Sequence, residues 1–498
     1  MAKLVYTPND VSYLPILNST IMNPRLVLPP NSPSKPLFII TPSHASHVQA
    51  AVLCAKSHGM QIRTRSGGHD SEGLSYLSSG RIPFVMIDLR SLPSVQVDVE
   101  TKTAWVQPGA TLGELYYRIA ERSATLGFPA GVCYTVGVGG HFSGGGYGLL
   151  LRKYGLASDN VLDARLVDAK GRVLDRESMG EDLFWAIRGG GAASFGVVLE
   201  WKVRLVDIPS KVSIFIVVRD MDHKTKKLVY RWQSMADKLH EDLLFFVRVQ
   251  TVNFTTKEGK QKPKLQAFFI SVFLGGPDEL FSSIRKIFPE LGLARKDVIE
   301  TTWLATIMLI VNGFPIGTPP EVLLDRTRPE GRPMSLKAKA DYVKKPVPEK
   351  VLERLWERIY EVDAGVASFQ LFPYGARMSE ISESETPFPH RAGNLYELSY
   401  YVRWDEKGDA KATERYLDWI RSAYGYMTPY VSKNPRSAYL NYRDLDLGRN
   451  NVEGDTSYEQ ASIWGRRYFK DNFKRLARVK TKADPTNFFR NEQSIPTL

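Results

Sequence analysis

Cysteine is nearly missing from this 498-residue chain, which has only Cys54 and Cys133. Two thiols exclude a disulfide-built scaffold and a zinc site with cysteine spacing. No stretch of about eighteen uncharged apolar residues occurs, so no membrane-spanning helix is encoded. The most apolar pieces, "PLFIIT" and "PFVMIDL", have the length and β-branched content of strands. The opening residues, "MAKLVYTPND", lack the charged-then-apolar pattern of a leader. No G-x-G-x-x-G lies between a strand and a helix and no Walker A sequence is present, which leaves a Rossmann dinucleotide site unsupported. Internal repeats and low-complexity linkers are missing too. So is a concentrated basic stripe: the net charge is +12, but Lys and Arg are dispersed, and "TTKEGKQKPK" at 255–264 reads as a solvated loop between strands. Nucleic acid is therefore not an expected partner.

What is present is an ordinary soluble composition, 43% hydrophobic and 24% charged, in a chain too long for one core. To about Asp207, strand-like and helical patterns alternate. "PLFIITP" precedes the helical period of "SHASHVQAAVLCAKSHG", whose apolar face is expected to bury Cys54. "QIRTRSGG", "FVMIDLR" and the hairpin "VQVDVETKTAWVQPG" follow, then the helix "TLGELYYRIAERS". A second hairpin turns at Lys170-Gly171, and the helix "MGEDLFWAIRGGG" ends on glycines. From 208 to about 425 the alternation of "VSIFIVVRD", "LLFFVRVQTV", "LQAFFISVFLGG", "SLKAKADYV" and "LYELSYYVRW" predicts a broad antiparallel sheet. Amphipathic helices such as "VLERLWERIYEVD" and "ATERYLDWIRSAYGYM" lie between these strands. The expected class is α+β in two domains, 1–207 completed by 430–498, and 208–429. Asn18 and Asn253 stand in glycosylation sequons, a weak pointer to a secretory route.

Chemistry concentrates in three glycine-rich loops: "RSGGHD" at 65–70, "GFPAGVCYTVGVGGHFSGGGYG" at 127–148 and "RGGGAASFG" at 188–196. Nine of the twenty-two residues from 127 to 148 are glycine. Glycine lets backbone amides approach a ligand where a Cβ would intrude, so three such loops in one region point to a large, extended ligand. A lone histidine is usually a satisfied structural group, and a lone cysteine small filler. His69 and Cys133 differ in that both stand in these loops and both are nucleophiles able to bond a cofactor ring.

These segments, with "KYGLASDNVLDARLVDAKGRVLD", "FWAIRGGGAASFGVV", "TPFPHRAG", "NYRDLDLG" and "DPTNFFRNEQSIP", resemble the plant berberine bridge enzyme-like oxidases of the vanillyl-alcohol-oxidase superfamily. The resemblance runs in order along nearly the whole chain. It implies FAD held by two covalent bonds, from His69 to the flavin 8α-methyl and from Cys133 to C6. Arg65, Ser66, Gly67, Gly68 and Asp70 would cradle the cofactor with Gly137, Gly139, Gly140, Ser143, Gly144 and Tyr147. Val136 matches the family's oxygen-gating position, and a valine there implies an oxidase. Relatives pair the counterpart of Cys54 with a cysteine near their N-terminus that has no counterpart here, so a trimmed or engineered N-terminus is expected. The resemblance also implies a monomer in a secretory compartment, apoplast or vacuole, without membrane or metal.

Tyr442 in "NYRDLDLG" matches the family's tyrosine base, and Arg443 or Arg248 is expected to depress its pKa. The glutamate base of berberine bridge enzyme falls at Ser399, and the lysine of monolignol oxidases falls at Glu397. Ser71 stands where those oxidases have tyrosine, which widens the pocket. Together with Tyr396, Tyr401 and Arg443 it is expected to face substrate. Cannabinoid oxidocyclases share the small residue at 71 and "YEL" at 396–398, and Arg248 replaces their substrate-site histidine. Tyr134 replaces the usual proline after the flavin cysteine and is expected to add a ring near the flavin. The resulting expectation is oxygen-dependent oxidation or oxidative cyclisation of a bulky prenylated phenolic, with release of peroxide. Two alternatives stay open, a redox-neutral Diels–Alderase and a monolignol or carbohydrate oxidase.

Overall fold

The computed structural model describes residues 3–29, 32–255, 260–310, 312–327, 334–363, 366–405 and 410–498. Strands up to Asp207 form three sheets, and strands from Val212 to Trp404 form a fourth. The first sheet orders Val5–Tyr6, Phe38–Ile40, Phe84–Asp88 and Gln61–Arg65, with the last three parallel. Helix Ala45–Ser57 makes the crossover between Phe38–Ile40 and Gln61–Arg65 that parallel strands require. It buries Val48, Ala51, Val52 and Ala55, a three-and-four spacing that puts position 54 on the other side. The expected burial of Cys54 is thereby overturned. The thiol is exposed, and its Sγ stands 3.9 Å from Nδ1 of His58, one turn on.

The second sheet is antiparallel, in the order Val95–Asp98, Thr103–Val106, Val197–Arg204, Val161–Val167 and Val173–Leu174. Beside it, helix Leu112–Arg122 opens with a capping box between Thr111 and Glu114, which satisfies two backbone donors left over by the helix start. Leu126–Gly127 and Val206–Asp207 pair as a small third sheet. The tail helices Tyr458–Phe469 and Asn472–Ala483 pack on each other, and the second packs on helix Arg176–Ile187. Buried Lys480 bonds Asp484 at 2.6 Å and the Ser194 carbonyl at 2.7 Å.

The fourth sheet has seven antiparallel strands, in the order Ile299–Thr301, Val212–Asp220, Gln261–Phe273, Leu243–Thr255, Ala367–Pro373, Tyr396–Trp404 and Ser335–Val343. The loop expected at 255–264 is corrected. Strand pairing continues outward to Thr255 and Gln261, while 256–259 lie outside the described residues. One face of this sheet is closed by helices His223–Gln233, Glu349–Glu357 and Ala410–Tyr426. Trp232 bonds the Phe245 carbonyl at 2.9 Å, and Trp356 and Trp419 pack on Phe369.

Buried arginines tie the two halves together. Arg152 donates to the carbonyls of Ala236, Leu239 and Tyr374, and Arg391 meets Asp159 at 2.6 Å. Both sequon asparagines, Asn18 and Asn253, are exposed. No helix among the described residues is long and apolar enough to cross a membrane.

Candidate active site

Side chains alternate across a strand, so strand parity decides what the seven-stranded sheet shows on its open face. Along Tyr396–Trp404 that face carries Glu397, Ser399 and Tyr401. Register continues it through the neighbouring strands: Ser399 lies opposite Gln370, and Gln370 opposite Arg248. Beyond Arg248 come Phe268 and Val218. The face thus grades from polar over Tyr396–Trp404 to apolar at Phe268, Val218 and the neighbouring Ile216. Arg248, Phe268, Gln370 and Tyr401 are only half-buried. The Arg248 guanidinium stands 5.7 Å over the Phe268 ring, its Nε has no hydrogen-bond partner among the described residues, and burial lowers its pKa, helped by Arg403.

Tyr147, at the end of the long glycine segment, docks on this face. Its ring packs 5.0 Å from Phe372, and its hydroxyl lies 2.5 Å from that of Tyr442 and 3.5 Å from Glu397 Oε1. Ser399 donates to the same Oε1 at 2.9 Å, and among the described residues Oε2 has no hydrogen-bond partner. Tyr439 and Tyr401 stand edge-on to Tyr442 at 5.2 and 5.9 Å. Burial, helped by Asp341, pushes the Glu397 carboxyl up to about 8. Burial, with Tyr401 and Glu397 beside it, also holds the Tyr442 hydroxyl well above its ordinary value.

The expected cationic help for Tyr442 is therefore corrected. Arg443 turns away, 3.9 Å from Asp70 and 3.3 Å from the Gln493 carbonyl, and Arg248 does not figure among the groups acting on the hydroxyl. Tyr396 has the wrong parity for the open face: it is fully buried against Trp232 and donates to Gln233 at 2.6 Å. Tyr134 is buried in a satellite core with Met308, Phe314 and Leu323, and its hydroxyl reaches the Thr327 carbonyl at 2.8 Å. It staples the loop to the 303–327 excursion instead of adding a free ring.

The other predicted loop residues do come together. His69 Nε2 is 2.9 Å from the Thr135 hydroxyl, and Cys133 Sγ is 3.8 Å from the same oxygen. A Cβ on Gly67 would stand 2.2 Å from Gly137 N, so the two loops meet backbone to backbone. Ser66 Oγ accepts from Gly139 N. Gly68 takes φ +70° against Thr20. Ser71 donates to the Arg443 carbonyl at 3.1 Å, which brings the His69 loop beside Tyr442. The Ser143 carbonyl accepts from both Gly189 and Gly191 at 2.9 Å, joining the third loop. A Cβ on Gly144 would meet Asn441 at 1.9 Å. Val136 packs partly buried against the main core. Arg65 is the exception. Its guanidinium is fully buried on Asp88 at 2.6 Å and on the carbonyls of Ile16 and Leu17, so its charge holds the N-terminal segment.

A family described as an FAD binding domain matches residues 36–176, and one described as berberine and berberine like matches 438–496. The chain is 53% identical over 501 residues to cannabidiolic acid synthase-like 1 of Cannabis sativa, covering 100% of this chain and 90% of the relative. It belongs to the berberine bridge enzyme-like family. Tetrahydroberberine oxidase of Berberis wilsoniae is 52% identical over 492 residues, covering 99% of this chain and 91% of the relative. Among solved structures, berberine bridge enzyme-like 28 of Arabidopsis thaliana superposes with TM-score 0.93 at 46% identity, covering 99% of this chain and 98% of that one. Berberine bridge enzyme of Eschscholzia californica gives 0.91 at 39%, covering 100% and 96%. This berberine bridge enzyme-like protein is thus an FAD-dependent oxidoreductase with a two-domain α+β flavoprotein fold.

The residues fit that cofactor. An imidazole and a thiol converge on Thr135, and nothing lies within 4 Å of a Cβ placed on Gly140, which leaves room where the cradle was expected. Several supporting residues went unnamed in the sequence reading. Thr135 links the two nucleophiles, and Tyr439 accepts from Gly146 N at 2.9 Å. Asn441 bonds the His141 carbonyl at 2.9 Å. Phe372 and Gln370 lie on the unpredicted strand Ala367–Pro373. The signal for that strand was the alternation in "ASFQLFP"; Tyr439 and Asn441 were marked only by closeness to Tyr442.

Proposed function

We propose that the protein oxidises a bulky prenylated phenolic metabolite, by dehydrogenation or oxidative cyclisation, with FAD bonded to His69 and Cys133 and dioxygen as final acceptor, giving hydrogen peroxide. The observation that carries this reading is the Tyr147 hydroxyl joining Tyr442 to Glu397, on a sheet face that turns apolar toward Phe268 and Val218. Such a face suits a substrate with a hydroxyl at one end and apolar bulk at the other. FAD, when bound, supplies the two-electron oxidation. The chain's own residues do the rest. Tyr442 receives the proton of the substrate hydroxyl. The half-buried wall of Arg248, Gln370 and Tyr401 orients the ring, and the apolar strands keep water from its bulk. Val136 supports oxygen access.

The unpartnered Arg248 Nε favours one second reading, a redox-neutral Diels–Alder cyclisation in which the guanidinium polarises a carbonyl. One experiment separates the two: a panel of prenylated phenolics, monolignols and sugars, read for peroxide in air and for flavin bleaching under argon. Bleaching with peroxide release supports oxidation. Product formed under argon with the flavin still yellow overturns it. Yellow colour that survives acid precipitation, and survives in His69→Ala and Cys133→Ala singly but not together, checks the two tethers.

A further inference from the structure

Glu397 is a carboxyl with one oxygen satisfied and the other bare, placed behind the two hydroxyls at which substrate chemistry begins. Tyr442 meets Tyr147 at 2.5 Å, and Tyr147 points at Oε1 across 3.5 Å. Hydrogen bonds of a catalytic chain run long without substrate and tighten in the complex. Every other group packed on Glu397 is poorly suited to accept a proton. Ser399 and Tyr401 lie on its own strand. Tyr342 stands opposite it on the adjacent strand, with Tyr374 within 3.4 Å of the Tyr342 hydroxyl and His390 stacked on the Tyr342 ring at 4.1 Å. Tyr439 packs on the Tyr147 and Tyr442 rings, 5.2 Å from each. Asp341 pushes Glu397 the same way as burial, and among the described residues no cation acts on it. The phenols are held above their ordinary range by burial, and His390 is held well below its own, again by burial.

We infer that Glu397 is the terminal acceptor of a two-hydroxyl proton path, a positioning residue that takes through Tyr147 the proton Tyr442 receives from substrate. The substrate O–H bond breaks as Tyr442 gains its proton. The proton of Tyr442 passes to Tyr147, and that of Tyr147 forms the new O–H bond on Oε1. The carboxylate loses its negative charge, and the substrate's two electrons leave as hydride to the FAD oxidant. Tyr442 then never has to exist as a tyrosinate, which its surroundings disfavour. This inference rests on the reading that a hydroxylated substrate is oxidised at Tyr442.

Two measurements test it, one of them independent of turnover. Infrared titration of the resting holoenzyme is expected to show a protonated carboxyl stretch that disappears near pH 8, is missing in Glu397→Gln, and persists to higher pH in Tyr147→Phe, where the carboxylate loses a donor. The second is the pH profile of anaerobic flavin bleaching by the substrate that the panel returns. Wild type and Glu397→Asp are expected to speed up through that same pH. Glu397→Gln and Tyr147→Phe are expected to be flat and roughly 100-fold slower, with flavin content unchanged. A rising limb retained in Glu397→Gln but lost in Tyr442→Phe overturns the inference, and so does a carboxyl that titrates in the ordinary carboxylate range. If no panel member bleaches the flavin, the oxidase reading fails, while the infrared titration still decides the state of Glu397.

Discussion

The glycine floor and the sheet wall face each other across one site, yet they are built on opposite principles. The floor is backbone meeting backbone: Gly67 against Gly137, Gly148 against the Ala130 carbonyl, and Ser143 accepting from two amides of the third loop. On the wall, backbone pairing is uniform and everything distinctive hangs from it: Glu397, Ser399 and Tyr401 on one strand, Arg248 and Phe268 across it. On the proposed reading, the floor would fix where FAD rests and the wall what is brought to it. Substrate identity can change over an unchanged floor, because parity lets a wall residue be replaced without moving a hydrogen bond.

The sharpest way to break this contrast is Tyr442→Phe, which removes one oxygen from the junction of floor and wall. Flavin content is expected to hold while the bleaching rate falls roughly 10²–10⁴-fold; an unchanged rate would remove Tyr442 from the proton path.

Next comes stability against pH. Glu397 holds its proton more tightly folded than unfolded, with its pKa raised from 4.5 to about 8. Its contribution is therefore complete below pH 4.5 and is lost as pH climbs toward 8, by on the order of a few kcal/mol. Melting temperatures measured across that window are expected to decline in wild type and to decline less in Glu397→Gln.

For the floor, Gly148→Ala drives a Cβ to 1.8 Å from the Ala130 carbonyl and is expected to cost about 3 kcal/mol by denaturant titration. Gly140→Ala meets nothing within 4 Å; it should leave stability within about 0.5 kcal/mol and lower flavin loading instead. The smallest effect tests parity itself. Tyr396→Phe is expected to lose about 1 kcal/mol of stability with kcat and KM unchanged, whereas Tyr401→Phe on the open face raises KM.

Much of the floor was legible because its signal is compositional and local. Glycine clusters and two rare nucleophiles mark themselves, and His69 and Cys133 do share Thr135. The broad antiparallel sheet was legible from alternation, although Ala367–Pro373, which lies between the hairpin and Tyr396–Trp404, was missed. What failed was side-chain direction. Tyr396 sits beside Glu397 in "YEL", yet points into the helices. Tyr134 follows the tether but is turned into another core by Phe314 and Thr327. Arg65 and Arg443 lie in the right segments but spend their charge on Asp88 and Asp70. Cys54 fell off the buried stripe by a single position. For the two tyrosines and the two arginines the partner lies far away in sequence, where no local pattern can point.

Arg152 carries a consequence for how such enzymes can be recombined. Its guanidinium reaches from the glycine-floor half into three carbonyls on the wall half, at Ala236, Leu239 and Tyr374. A wall taken from a relative and spliced onto this floor keeps its register only if those carbonyls return to the same places. Otherwise it strands a buried cation, at several kcal/mol. The wall is thus interchangeable residue by residue but resists transfer as a cassette, and chimeras that move residues 208–429 are expected to need the donor's own 151–155 turn with them.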